Sequence, residues 1–325
     1  MSHSDPEYSG HQEAWREWRA ALSGPRMHHG WLLAGKRGIG KLDFALAAAR
    51  ELVAEPGVPQ PKGDHPDIVV LTNLPANADE EKKKAEGKPW QARRNIAVDQ
   101  IREMQHRLTT RPTLGGRRAI IVSPADDLEK GAANALLKSL EEPPQGTFFL
   151  LVTHRPGRLL PTIRSRCRLL RFAEAPESEV AAFLAREAPQ ADAETRAAAV
   201  SVAGGSPQAA LEFVEQELAP LHRLMRRILE EGDAGFELRG ALAEEMGQRP
   251  ARERQLAAIE LARSVVAGEM RAADRRRIPA IVEAHGALSR LAGQAPTYNF
   301  DPGLLVMEIG SLLAGAAPRR EPAHG

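Results

Sequence analysis

A single cysteine, Cys167, stands in a chain of 325 residues. One thiol closes no internal disulfide, and it supplies no structural zinc site, which takes about two to four cysteines. His28, His29, His65, His106 and His154 lack metal-like spacing to cysteine or acidic partners, so they read as loop or core histidines and no metal is expected. Aromatic residues make up 4% of the chain, too few for a platform that stacks single-stranded bases. Neither sign of charge dominates: 44 Lys and Arg stand against 43 Asp and Glu. That balance argues against a chain whose main task is to coat nucleic acid. Apolar runs stay far below the roughly 18 residues of a membrane span, and the opening "MSHSDPEYSGHQEAWREWRAA" has no basic n-region followed by an apolar h-region. The expectation is a soluble, cytoplasmic protein with no membrane partner, and the length predicts two or three domains.

What the chain does have is order. "AWREWRAAL" places Trp15, Trp18 and Leu22 on one helical face, and "GWLLAG" is a short apolar strand running into a glycine loop. "LDFALAAARELVA" then carries Phe44, Leu46, Ala47, Leu52 and Val53 in helical order. "DIVVL", "RRAIIVS", "TFFLLVT" and "CRLLRF" read as further strands, the middle two as runs buried in a parallel sheet. "VDQIREMQHRL" and "AANALLKSLEE" read as helices, the second stopped by Pro143 and Pro144. The polar stretch from Pro75 to Pro89, with "DEEKKKAEGK", reads as an exposed, mobile excursion. Strands alternating with helices up to Phe172 predict a three-layer α/β domain over 1–172 with a parallel sheet. Helices broken at Gly204 and Gly205 predict a small helical domain over 173–215. An all-α bundle is expected over 216–325, ending in a disordered tail, "APRREPAHG".

The glycine loop is "GKRGIGKL". Gly35, Gly40 and Lys41 complete the first seven positions of a phosphate-binding loop, with Gly38 inside it, between a strand and a helix as such a loop requires. The eighth position should be Ser or Thr to hold Mg²⁺, and here it is Leu42. The strand "AIIV" ends in Ser123 and Pro124, where hydrolysis needs an acid. Asp126 and Asp127 lie beyond it and read as helix caps rather than metal ligands. Two parts of a metal site are therefore missing together. Lys41 and the loop amides could still hold a phosphate without metal; the other reading is a loop retained for packing, with ATP binding weak or absent.

A second stretch, "TIRSRCRLLRF", puts Ser165, Arg166 and Cys167 ahead of a short strand. Spacing alone favours a solvated basic surface of Arg164, Arg166, Arg168 and Arg171. The alternative is an arginine entering a neighbour's nucleotide site, worth roughly 10³ to 10⁵ in rate in GTPases. Cys167 reads as a small buried hydrophobe. Arg93, Arg94, Arg117 and Arg118 are candidate phosphate contacts, with a solvated face the favoured reading.

Taken together, "GKRGIGK", "VDQIREM", "AANALLKSLEEPPQGTFFLLVTHRPGRLLPTIRSRCRLLRF" and "GGSPQAALEF" resemble the delta-prime subunit family of bacterial DNA polymerase III clamp loaders, within the AAA+ superfamily. The likeness is strong over Trp31 to Phe172, weaker to about Phe213, and beyond that rests on helices and "YNFDPGLL". It implies a non-hydrolysing stator subunit, partnered by gamma/tau-type ATPase subunits and the delta subunit, with the sliding clamp and primed DNA as secondary contacts. The alternative is an active AAA+ ATPase with atypical Mg²⁺ ligands. By resemblance, Arg166 of the Ser165-Arg166-Cys167 motif is an arginine finger acting in trans. Gly35, Gly38, Gly40 and Lys41 are a degenerate nucleotide loop, and Thr153 matches the first sensor position in type. The second sensor arginine is replaced by Gln208. The four-cysteine zinc module often inserted after the first helix has no cysteines here, so no zinc and no other cofactor is expected.

Overall fold

The computed structural model describes residues 11–88, 90–270, 272–295 and 300–318. The chain divides into two compact units between Glu174 and Ala175.

In the first unit α1 (Gln12–Leu22) precedes β1 (Gly30–Ala34), α2 (Lys41–Val53), β2 (Ile68–Leu71), α3 (Ala78–Ala85) and α4 (Val98–Leu108). β3 (Arg118–Val122), α5 (Lys130–Glu141), β4 (Thr147–Thr153), α6 (Pro161–Arg164) and β5 (Arg168–Arg171) follow. The strands form one sheet in the order β2-β3-β4-β1-β5, parallel throughout. β1 and β3 are buried along their whole length, which is why they read as unbroken apolar runs; the edge strands β2 and β5 are partly exposed. Alternate side chains feed two cores. Trp31, Leu33, Ile121 and Leu150 meet Trp18 of α1 and Phe44 of α2 on one face. Leu32, Ile120 and Leu151 meet Ile101 and Met104 of α4 and Leu136 of α5 on the other. This is the expected AAA+-like α/β architecture.

Three expectations change. The core face of α2 is Phe44, Ala45, Ala48, Ala49, Leu52 and Val53, while Leu46 and Ala47 only flank it; the alanines let the helix lie close on the sheet. The charged excursion holds a helix, α3. Asn77 caps it by accepting from the Glu80 N–H (3.0 Å), and the Glu80 carboxylate takes Lys83 (2.7 Å) and the Gln91 N–H (2.6 Å). A capping residue and one anchored carboxylate order a segment whose composition reads as disordered. Arg118, finally, is no solvated phosphate contact. It is 5% exposed and donates to the carbonyls of Arg107, in the last turn of α4, and of Thr110 and Arg111 just beyond it, with Asp67 at 3.9 Å. Its guanidinium ties down the chain where α4 ends.

The second unit contains α7 (Glu177–Glu187), α8 (Ala193–Ala203), α9 (Pro207–Glu215), α10 (Ala219–Glu231) and α11 (Glu237–Met246). It ends with α12 (Arg252–Glu269), α13 (Ile278–Gln294) and α14 (Pro302–Gly315). One hydrophobic cluster runs through it from Val180 to Ala316. The α8–α9 break has a local cause: Gly204 takes a left-handed φ of 53°, and Ser206 caps α9 by accepting from the Ala209 N–H. Of "YNFDPGLL", Asp301 caps α14 by accepting from the Leu304 N–H, whereas Tyr298 and Asn299 lie outside the described residues, as does the tail from Arg319. Among the described residues no helix is long and apolar enough to cross a membrane.

Candidate functional site

The glycine loop joins β1 to α2, and its glycines are required by geometry. A Cβ on Gly35 would sit 2.7 Å from the Phe172 carbonyl oxygen, and Gly38 and Gly40 take φ of 76° and 85°. The loop is closed upon itself. Lys41 is 3% exposed, and its Nζ donates to the carbonyls of Gly35 (2.8 Å) and Lys36. Burial pushes the Lys41 ammonium down to about 8, against the opposing pull of the Asp126 carboxylate. Leu42, in place of the magnesium-binding hydroxyl, packs against the Trp18–Phe44 core. From outside the loop, His11 donates through Nε2 to the Ile39 carbonyl and lies edge-on to Phe172 at 4.8 Å. Sequence reasoning missed His11, which precedes Ile39 by 28 residues and carries no motif.

Where hydrolysis would place an acid at the end of β3, Ser123 is buried and its backbone N–H donates to Leu71. Asp126 and Asp127 are not the helix caps expected from sequence. They wind in a single 3₁₀ turn over Ala125–Asp127, while α5 begins only at Lys130, after Glu129, which makes no side-chain cap. Asp126 instead accepts from Thr153 Oγ1 (2.7 Å), the His154 N–H (2.6 Å) and the Arg155 N–H (3.0 Å). Asp127 accepts from Asn73 Nδ2 at 3.1 Å. Thr153, the sensor-like residue, is fully buried and turned to Asp126. Burial, and then the positive charge of Lys41, hold His154 down at about 4, so it is neutral at physiological pH. Three protein donors thus occupy Asp126, and among the described residues no group of three or more His, Cys, Asp or Glu side chains is arranged to hold a metal.

The second cluster lies elsewhere. Ser165 closes α6 and donates from Oγ to the Thr162 carbonyl (3.1 Å). Arg166 keeps 35% of its side chain exposed; Nη2 meets Glu141 at 2.7 Å, and Nη1 donates to the Thr162 carbonyl at 3.1 Å. Cys167 packs against the Leu136–Ile163 core, where burial pushes its thiol up to about 12; it is a packing residue, not a nucleophile. Arg168 pairs with Glu17 at 2.9 Å and lies over the Trp31 ring.

The sheet fixes the relation between the clusters. Gly35, Gly38, Gly40, Lys41 and Thr153 gather at the carboxyl ends of β1 and β4. The Ser165-Arg166-Cys167 turn precedes β5, whose Arg168 is level with Trp31 at the start of β1. A Cβ on Gly30 would sit 2.9 Å from the Arg166 carbonyl oxygen. The two clusters are therefore separated by the length of β1, about 16 Å at about 3.3 Å per residue. Gln208, at the second sensor position, is exposed on α9 in the other unit.

A parallel sheet in this strand order, with a phosphate-loop glycine turn after β1, defines an AAA+-type nucleotide-loop fold. A gamma-subunit-related DNA polymerase III protein from Thermotoga maritima shares it, with a TM-score of 0.51 at 18% identity over 93% of this chain and 98% of that one. Residues 10–176 match the family model described as "DNA polymerase III, delta subunit". Among curated proteins, the DNA polymerase III subunit delta' of Pseudomonas aeruginosa is 34% identical over 213 residues, covering 62% of this chain and 59% of the relative. Its Escherichia coli counterpart is 33% identical over 212 residues, covering 60% and 57%. The chain thus spans less than two thirds of these relatives. It belongs to the DNA polymerase III delta subunit family, and its sequence is delta-prime-like.

Proposed function

We propose that this chain is a non-hydrolysing stator of a clamp loader that acts on a neighbour's ATP through Arg166. The observation that carries the reading is the pair of cations in the first unit. Lys41 is buried on its own loop's carbonyls, whereas Arg166 stays partly exposed about one strand length away. An arginine so far from its own loop is out of reach of any nucleotide there, so an effect on phosphoryl transfer requires another subunit's site. Gamma/tau-type ATPase subunits would supply that site, and the delta subunit would complete the ring. In this reading the helices over 173–215 form a lid and those over 216–325 a collar. The assembly closes a sliding clamp on primed DNA. Leu42, Ser123-Pro124 and the occupied Asp126 weigh against hydrolysis by the chain itself.

The test is DNA-stimulated ATP turnover by the reconstituted loader. Arg166→Ala should abolish the turnover of the site it serves, within the roughly 10³ to 10⁵ range of arginine fingers, while Lys41→Ala stays near wild type and all variants assemble. Loss with Lys41→Ala and little effect of Arg166→Ala would make the chain an ATPase and overturn the proposal.

A further inference from the structure

We infer that Glu141 is a positioning residue for Arg166, holding the guanidinium ready for the neighbour's phosphate; the inference rests on the reading of Arg166 given above. The backbone under Arg166 is already fixed. The Arg166 carbonyl oxygen lies 2.9 Å from where a Cβ on Gly30 would stand, and Cys167 Sγ lies 3.2 Å from that point. The Arg166 N–H donates to Ile163 at 3.1 Å. The opposite wall is the end of α5, where the Leu140 carbonyl accepts from His29 Nε2 at 2.9 Å, so the helix end is tied to the residue before β1. Glu141 is the last residue of α5. The turn and the helix end that bears Glu141 are thus braced on neighbouring residues, Gly30 at the start of β1 and His29 just before it.

On that frame only the arginine's own torsions remain free. An unrestrained arginine loses considerable rotamer entropy when it engages a ligand. Here Glu141 holds Nη2 and the Thr162 carbonyl holds Nη1, and the planar group keeps further N–H bonds, Nε–H among them, to offer an incoming anion. Both partners are partly exposed, at 35% and 47% of their side chains, so the pair is weak enough to adjust when a phosphate arrives. A positioning effect of about three- to fivefold follows from the strength of such surface pairs.

The experiment uses the reconstituted loader with the full-length chain as wild type, Glu141→Ala, Glu141→Gln, Arg166→Ala and the double variant, measuring DNA-stimulated turnover against ATP concentration. Glu141→Ala should lower kcat about three- to fivefold, leave the KM for ATP unchanged, and leave melting temperature and assembly as in wild type. Glu141→Gln, which keeps an acceptor oxygen, should recover part of the loss. In the Arg166→Ala background Glu141→Ala should cost nothing more. An equal further loss in that background would overturn the inference, because Glu141 would then act independently of Arg166. A rise in kcat would overturn it too, because the pair would be restraining the arginine. Wild-type turnover of Glu141→Ala beside an impaired Arg166→Ala would sink the role of Glu141 alone. Wild-type turnover of Arg166→Ala would sink the underlying reading as well.

Discussion

The glycine loop and the Ser165-Arg166-Cys167 turn sit at opposite ends of the same strand, and each carries a cation at its centre. In the glycine loop the cation faces inward: Lys41 has given its hydrogen bonds to Gly35 and Lys36, Leu42 has joined the core, and Asp126 is occupied by Thr153, His154 and Arg155. In the turn it faces outward: the backbone is wedged against Gly30, Cys167 is half-buried against the core, and Arg166 remains accessible between Glu141 and Thr162. One loop has its lysine, and the carboxylate that pulls on that lysine, held by protein partners. The other is rigid underneath and unsaturated on top.

The largest expected contrast is chemical. With its pKa near 12, Cys167 holds about a thousandfold less thiolate at pH 8 than an ordinary thiol. Iodoacetamide should therefore label the folded chain about a thousandfold more slowly than the urea-unfolded chain. Labelling at the unfolded rate would mean the turn is not seated on the core, and the contrast between its buried base and exposed tip would fail. Next in size is Asp126→Ala, which leaves the Thr153 hydroxyl and the His154 N–H without their acceptor, leaves the Arg155 N–H only Thr153 Oγ1 at 3.2 Å, and removes a negative charge that acts on Lys41. A loss of about 3 kcal/mol in urea unfolding is expected. A change below about 0.5 kcal/mol would show that Asp126 is not held by its protein donors.

How far these two loops could be read in advance depends on the range of the contacts that build them. The strand, loop and helix around Gly35–Lys41, the buried runs of β3 and β4, and the stop at Pro143 follow from patterns a few residues long, and all were legible. The role of Asp126 was not, because its donors lie 27 to 29 residues away and an Asp shortly before a helix reads as a cap by default. Arg118 misleads in the same way: beside Arg117 it looks like part of a surface patch, until the carbonyls around the end of α4 claim it. In α2 a hydrophobicity pattern weights Leu46 above Ala48, whereas close contact with a sheet favours the smaller side chain. Glu141 and Arg166 were both visible as motif residues, but nothing in their spacing pairs a helix end with a turn 25 positions later.

The pH dependence of stability sharpens the inward half of the comparison. The folded pKa of Lys41, about 8, lies below its unfolded value. Between about pH 8 and the ordinary lysine range the unfolded chain therefore binds the extra proton, and stability from this group rises with pH. Relative to Lys41→Met, the wild type should gain about 2 kcal/mol between pH 7.5 and 9.5 in urea unfolding. A flat difference would mean that Lys41 is solvated and free to meet a phosphate.

The smallest effect bears on the outward half. Gly30→Ala puts a methyl 2.9 Å from the Arg166 carbonyl oxygen, 3.2 Å from Cys167 Sγ and 3.5 Å from Leu140 Cδ2. The sulfur and the leucine can give by a few tenths of an ångström, but the carbonyl belongs to a backbone held by its own turn. About 1 to 2 kcal/mol of destabilisation is expected from the overpacking, with relief by a shift of the turn away from β1. Such a shift carries Arg166 with it while leaving the glycine loop, a strand length away, undisturbed. Gly30→Ala should then lower loader turnover in the same direction as Glu141→Ala, and the Lys41 pH signature should persist unchanged. Loss of that signature would mean the two ends of β1 are mechanically coupled, and the separation of an inward and an outward loop would have to be abandoned.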